Sequence, residues 1–187
     1  IISRELLEKY INYVPIDDKI LNSKEIQIGV DVARFGDDST IMYVKQGNYI
    51  IEEIKLDKKD TMQTANRVAR IVNEYSQNDI VAKIDGVGVG GGVIDRLAEL
   101  QFPNLNIIEI QNNARAFNEN EYCNAITEMF YEFNEFLKRG FVSMPDDSEL
   151  IEDLAGRKYE FDSKGRLRIE SKDEFKKRFG RSPDKGD

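Results

Sequence analysis

Two β-branched runs, Ile26 to Val30 and Ile80 to Ile84, each stop on a carboxylate, Asp31 and Asp85, and a helical pattern separates them. Short apolar runs bounded by turn residues read as buried strands. A right-handed crossover through the intervening helix makes two such strands parallel. If they are neighbours, Asp31 and Asp85 stand side by side at their C-terminal ends, the crevice where open α/β sheets bind ligands. Two carboxylates held at one sheet edge can be joined by a divalent cation, which points toward phosphate chemistry.

The rest of the chain fits that frame. Ile1 to Ile20 reads as a short helix and a Pro-containing connector, and Glu25 to Ala33 as the first strand. Phe35 to Ser39 is a turn in which Asp37 and Asp38 shape the backbone. Thr40 to Val44 and Tyr49 to Leu56 are joined by a Gly-containing connection, so strands one to three form an antiparallel meander. Asp60 with Gln63 three residues later opens a helix whose Met62, Ala65, Val68, Ala69, Val72 and Tyr75 recur at helical spacing. Strand four (Ile80 to Ile84), a helix (Gly91 to Leu100) and strand five (Leu105 to Ile110) follow. A long helix is expected from Glu119 to Lys138, with Tyr122, Ile126, Met129, Phe130, Phe133 and Leu137 as its core stripe and Gly140 as its stop. Ser148 to Ala155 is a further helix, and Lys158 to Ile169 alternates around Asp162-Ser163-Lys164-Gly165 as a hairpin that places Arg166 and Arg168 on one face. The fold class is therefore α/β: a central mixed five-stranded sheet, antiparallel over strands one to three and parallel over four and five, flanked by helices, with a C-terminal β-hairpin.

Composition removes whole classes of chemistry. The 187 residues contain no His and one Cys. Ser-His-Asp catalysis, His zinc sites and an intrachain disulfide are thereby excluded. Cys123, set among Tyr122, Ile126 and Met129, is expected to be a small core residue. Apolar stretches fall short of the ~20 residues that a membrane helix requires. The chain opens at Ile1 without Met and without a signal-peptide pattern, so residues 1–25 are expected to be a helix and connector continuing from an upstream region, and 26–187 the main domain. Net charge is −8, yet residues 156–187 carry eleven Lys or Arg against seven acids. Basic residues on a protruding ribbon can grip a phosphate backbone.

Three separated segments then carry a family resemblance: Gly29-Val30-Asp31-Val32-Ala33-Arg34-Phe35-Gly36-Asp37-Asp38, Ile84-Asp85-Gly86-Val87-Gly88-Val89-Gly90-Gly91-Gly92, and Glu170-Ser171-Lys172 through Lys177-Arg178-Phe179-Gly180-Arg181-Ser182-Pro183-Asp184. In this order they resemble the nuclease domain of tailed-bacteriophage terminase large subunits. The resemblance implies a ribonuclease H-like fold and an endonuclease that cuts concatemeric double-stranded DNA during packaging, using two Mg²⁺ or Mn²⁺ ions. It implies Asp31, Asp85 and Asp184 as the catalytic and metal-binding carboxylates, with Asp187 as a further ligand. It makes Lys164, Arg166, Arg168, Lys172, Arg178 and Arg181 the expected DNA-binding cations. The implied partners are an N-terminal ATPase domain, the portal and the small terminase subunit, in the host cytoplasm and away from membranes, with the isolated domain monomeric. One segment departs from the family pattern: Asn-x-Arg-x-Glu-Met is Asn124-Ala125-Ile126-Thr127-Glu128-Met129 here, so no role for that arginine transfers. No Gly-x-x-x-x-Gly-Lys-Ser/Thr occurs, so the ATPase motor is not in this sequence.

The same chemistry follows from the residue types. Phosphodiester hydrolysis requires an activated water and charge relief on phosphoryl and leaving oxygens, which paired divalent ions supply. Carboxylates without histidine suit hard cations. A competing reading takes Gly86-x-Gly88-x-x-Gly91 as a dinucleotide fingerprint with Glu109 as its ribose acid, and another an actin-like ATPase half; the first departs in having three strands before the fingerprint, the second in lacking a repeated half. A non-catalytic module on the same fold is the third alternative.

Overall fold

The computed structural model describes residues 1–13, 25–33, 39–86 and 88–186. The elements in chain order are α1 (Arg4–Lys9), β1 (Glu25–Asp31), β2 (Ser39–Gln46), β3 (Tyr49–Asp57), α2 (Thr61–Glu74), β4 (Asp79–Asp85), α3 (Gly90–Leu100) and β5 (Leu105–Ile110). They continue with α4 (Ala125–Lys138), α5 (Ser148–Gly156), β6 (Tyr159–Phe161), β7 (Leu167–Ile169) and α6 (Lys172–Phe179). The expected connector and the turn with Asp37 and Asp38 lie outside the described residues, as does Asp187. Two compact units emerge, Ile16–Gln111 and the pair of segments Ile1–Pro15 and Asn112–Asp187.

The first unit is a five-stranded sheet in the order β3-β2-β1-β4-β5. β1–β2 and β2–β3 pair antiparallel, while β1–β4 and β4–β5 pair parallel. β1 and β4 show the same alternation, with Ile26, Ile28 and Val30 on one strand and Ile80, Ala82 and Ile84 on the other turned into the core. Met42 and Val44 of β2 join them, covered by Ala65, Val68, Ile71 and Val72 of α2 and Val93 and Leu97 of α3. Each such aliphatic side chain contributes roughly 1.5 to 3 kcal/mol on leaving water, which sets the strand register firmly. α2 begins where expected: Asp60 accepts from the Gln63 N–H at 2.7 Å and Gln63 returns the bond to Asp60 at 3.3 Å. Met62 is exposed rather than core, because the buried stripe of α2 starts at Thr64 and Ala65.

The second unit is built differently. Ile2, Leu7 and Tyr10 around α1 are buried, and Tyr10 and Asn12 bond the backbone of Met144 on both sides. α4 corrects the expected helix start: it opens at Ala125, not Glu119. Asn124 caps it by accepting from the Thr127 N–H at 3.1 Å, and the Glu128 carboxylate turns back to accept from the Phe117 and Asn118 N–H groups, which holds the preceding segment in turns. The buried stripe is Thr127, Phe130, Asn134 and Leu137, so Met129 is exposed and Ile126 and Phe133 are half-buried. Cys123 is half-buried beside Thr127 rather than in the core. β6 and β7 form the expected hairpin, its turn closed by Asp162 accepting from the Lys164 and Arg166 N–H groups. α6 is a further helix, opened by the complete capping box of Ser171 with Glu174 and ended by Gly180 at φ +74.

Candidate metal centre

Register places the first two carboxylates together. Gly29 pairs with Lys83 and Val30 with Ile84 across the parallel β1–β4 ladder, so Asp31 and Asp85 are the next step at the same strand ends. Neighbouring strands lie ~4.8 Å apart, which puts two carboxylate-bearing backbones within reach of one small cation. Val30 and Ile84 face the apolar core, and by the two-residue period Asp31 and Asp85 face the opposite side of the sheet, both half-buried. Their outer neighbours are Ile41 on β2 and Ile110 on β5.

The chain after Asp85 folds back tightly on it. The Gly86 N–H donates to the Ile110 carbonyl at 3.0 Å, Gly88 takes φ +83, and α3 begins at Gly90. A Cβ at Gly90 would stand 1.7 Å from the Asp85 carbonyl oxygen. Only glycine allows the helix start to press against that carbonyl, and the contact fixes the backbone from which the Asp85 side chain projects. Gly86 is covered by Glu109, whose Cγ lies 2.4 Å from the place of a Cβ. In a dinucleotide fingerprint Gly86 would be the tight-turn glycine, and the acid packed over it, Glu109, is the one that reading sends to a ribose. On the β1 side, the Ala33 N–H donates to Thr40 Oγ1 at 3.0 Å, closing the exit of the strand.

Asp184 belongs to the other unit. Its half-buried turn follows Gly180 and does not open a helix. The flanking residues strap it to α5: Arg181 pairs with Asp153 at 2.5 Å and with Glu152, the Lys185 N–H donates to Asp153 at 3.1 Å, and Lys185 Nζ pairs with Asp147. Asp153 is fully buried and its pKa is raised by that burial, against the opposing pull of Arg181 and the Lys185 N–H. A Cβ at Gly186 would stand 2.7 Å from Asp153 Cβ, so the strap runs close against the helix. Among the described residues no three Asp, Glu or Cys side chains form a group that could hold a metal ion. The geometry on view is thus the Asp31–Asp85 pair. Its donors are hard carboxylate oxygens, the chemistry that fits Mg²⁺ or Mn²⁺.

Most of the expected DNA-binding cations are engaged within the chain. Arg178 holds Glu170 at 2.5 and 2.6 Å and the Gly156 carbonyl at 2.7 Å. Glu170 is pushed up by burial, but the Arg178 bond, the Lys158 N–H and the Arg178 and Arg157 charges outweigh it and leave its carboxyl below the usual range. Arg168 bridges Glu160 and Glu174, each at 2.9 Å. Arg166 sits in the turn before β7 rather than on a shared strand face, folded onto Asp162 at 2.8 Å. Lys164 is exposed at the hairpin tip and Lys172 is half-buried at the start of α6.

The sheet itself carries cations that are not among the expected site residues. Lys83 lies two residues before Asp85, Lys45 pairs with Gln27 across β1–β2, and Lys55 pairs with Ile41 across β2–β3, so all three occupy the aspartate face. The two-residue period could have found Lys83, whereas Lys45 and Lys55 required the register. Burial lowers the Lys45 pKa, the Lys83 charge lowers it further, and Glu25 opposes both.

No family model matches the sequence, and no curated protein matches it. Solved structures do match. The nuclease domain of the large terminase subunit gp2 of bacterial virus Sf6, in a variant with manganese and β-thujaplicinol, superposes with a TM-score of 0.82 at 17% identity, over 99% of this chain and 94% of that one. The large terminase nuclease of thermophilic phage G20c with bound magnesium gives 0.61 at 16% identity, over 94% and 79%. The large terminase nuclease domain of Thermus phage P74-26 gives 0.60 at 13% identity, over 90% and 85%. The fold is that of the ribonuclease H-like terminase nucleases.

Proposed function

We propose that the chain is the metal-dependent endonuclease domain, residues 26–187 with 1–25 as its connector, of a viral DNA-packaging terminase large subunit that cleaves concatemeric double-stranded DNA. The observation that carries this reading is the Asp31–Asp85 pair, at the same end and on the same face of adjacent parallel strands, in a fold shared with nuclease domains that hold manganese or magnesium. Asp31 and Asp85 are the ligands supplied by the sheet. Asp184, with Asp187, enters the ligand set on the pattern Arg181-Ser182-Pro183-Asp184. When bound, two Mg²⁺ or Mn²⁺ ions supply a water of lowered pKa and relieve charge on the phosphoryl oxygens. The chain's own part is to aim the carboxylates: the β1–β4 ladder sets their spacing, and the Gly90 contact fixes the backbone of Asp85. In the whole protein this domain would act with an ATPase domain, the portal and the small terminase subunit in the host cytoplasm. No helix among the described residues is long and apolar enough to cross a membrane.

Plasmid DNA incubated with Mn²⁺ or Mg²⁺ is expected to be nicked and cut with little sequence preference. Asp31→Asn is expected to lower the rate by about 10³-fold or more while the protein stays folded, because a metal ligand acts in the reaction as part of one unit. Undiminished cleavage in excess EDTA, or by folded Asp31→Asn, would refute the reading. Thermal protection by NAD in the absence of metal would favour the dinucleotide alternative instead.

A further inference from the structure

We infer that the aspartate face of the sheet is the DNA track, with Lys83 beside Gly29 and Lys45 beside Gln27 holding backbone phosphates of the duplex near the one that is cut. The inference deepens the nuclease reading and rests on it for the location of the cut. Lys83 precedes Asp85 by one two-residue step, about 6.6 Å along the strand, so its ammonium group reaches the phosphates next to the Asp31–Asp85 pair. Gly29 pairs with Lys83 on one side and with Tyr43 on the other, one step before Asp31. A Cβ there would meet nothing within 4 Å, and both Gly29 and Lys83 are exposed. The result is a slot floored by bare backbone, which leads to the carboxylates along β1. Lys45 approaches it from β2, close enough for the two ammonium charges to repel, and Lys55 stands beyond Ile41 in the same row as Asp31.

Two further facts favour a polyanion on this face. Among the described residues Lys45, Lys55 and Lys83 enter no ion pair, although Arg168, Arg178 and Arg181 in the other unit each hold two or more polar partners. Lysines gathered without carboxylate partners gain most from phosphates, which exchange mobile counterions for fixed charges. In addition, the opposite face of the same strands is apolar core, so the three lysines share one face, together with Glu25, Glu53 and Asp79 by the same registers.

The test is equilibrium binding of a short labelled duplex of arbitrary sequence, with Ca²⁺ and with EDTA, between about 50 and 200 mM salt. Lys45→Gln with Lys83→Gln is expected to weaken binding several-fold and to reduce the slope of log affinity against log salt by about 2, since each phosphate contact contributes ~0.9. Lys83→Gln alone, an exposed change, is expected to take away about 1, and Lys83→Arg to keep the slope. An unchanged slope in folded Lys83→Gln, or a slope that falls for Lys164→Gln and not for Lys83→Gln, overturns the inference. Failure of the nuclease reading shows separately, as wild-type protein that binds the duplex but cuts nothing with Mn²⁺ or Mg²⁺.

Discussion

The two units use charge in opposite ways. In the sheet unit, stability comes from an apolar layer of Ile, Val and Ala between β1, β4 and the helices α2 and α3, and the acids and lysines of β1, β2 and β4 are left on the other face. In the C-terminal unit the apolar core is thinner and charge is structural. Arg157 lies 5.5 Å above Phe130 and 5.8 Å from Phe175 while donating to the Glu170 carbonyl. Arg178 closes on Glu170, and Arg181 and Lys185 tie the strap to α5. A local excess of Lys and Arg along a sequence is not the same as a surface of unpaired charge. Of the eleven cations of residues 156–187, Arg166, Arg168, Arg178, Arg181 and Lys185 are paired with acids of their own unit, whereas Lys45, Lys55 and Lys83 of the sheet enter no ion pair among the described residues.

The contrast can be attacked from both sides. The largest effect is expected from Gly90→Ala in the sheet unit, where a Cβ 1.7 Å from the Asp85 carbonyl forces α3 and Asp85 apart. Cleavage should fall by about 10²-fold through misplacement of the ligand, with Mn²⁺ protection in a thermal melt weakened alongside it. Normal cleavage and normal protection would show that Asp85 does not depend on that contact. Next comes Glu170→Gln in the C-terminal unit, which removes the charge that Arg178 holds and is expected to cost about 2 kcal/mol at neutral pH. Because the Glu170 carboxyl lies below its usual range in the folded protein, its contribution is present above the ordinary Glu pKa of about 4.3 and is lost as pH falls through the lowered folded value. Melting curves of the two proteins should therefore converge toward acid, and a gap that widens there would contradict ionic anchoring. The smallest effect is expected from Arg168→Gln, whose two pairs are partly exposed, at about 0.2 to 1 kcal/mol in chemical denaturation. A loss as large as that of Glu170→Gln would mean that the hairpin is as firmly built on charge as the Glu170–Arg178 contact.

Strand-level features were legible because they are local. The alternation of β1 and β4, the Asp60-Gln63 box and the hairpin around Gly165 depend on residues a few positions apart, and each appears where the pattern puts it. The start of α4 was not legible, because a helix-compatible run from Glu119 is overruled by Asn124 capping Thr127 and by Glu128 reaching back to Phe117 and Asn118. Its core stripe moved with it, from Ile126 and Met129 to Thr127 and Asn134. α6 was legible in principle from Ser171 and Glu174 but lay inside a segment read for its charge.

By itself, the sequence determined that Asp31 and Asp85 each end an apolar strand, and that a right-handed crossover makes the two strands parallel; that β1 and β4 are neighbours in register was added by the packed sheet. Which cations face them was decided only by tertiary structure. Lys45 and Lys83 are 38 positions apart and meet through two strand registers, one antiparallel and one parallel, both fixed by burial of the apolar residues on the far side. Register is a property of the packed sheet, and composition or charge count along the chain carries no record of it.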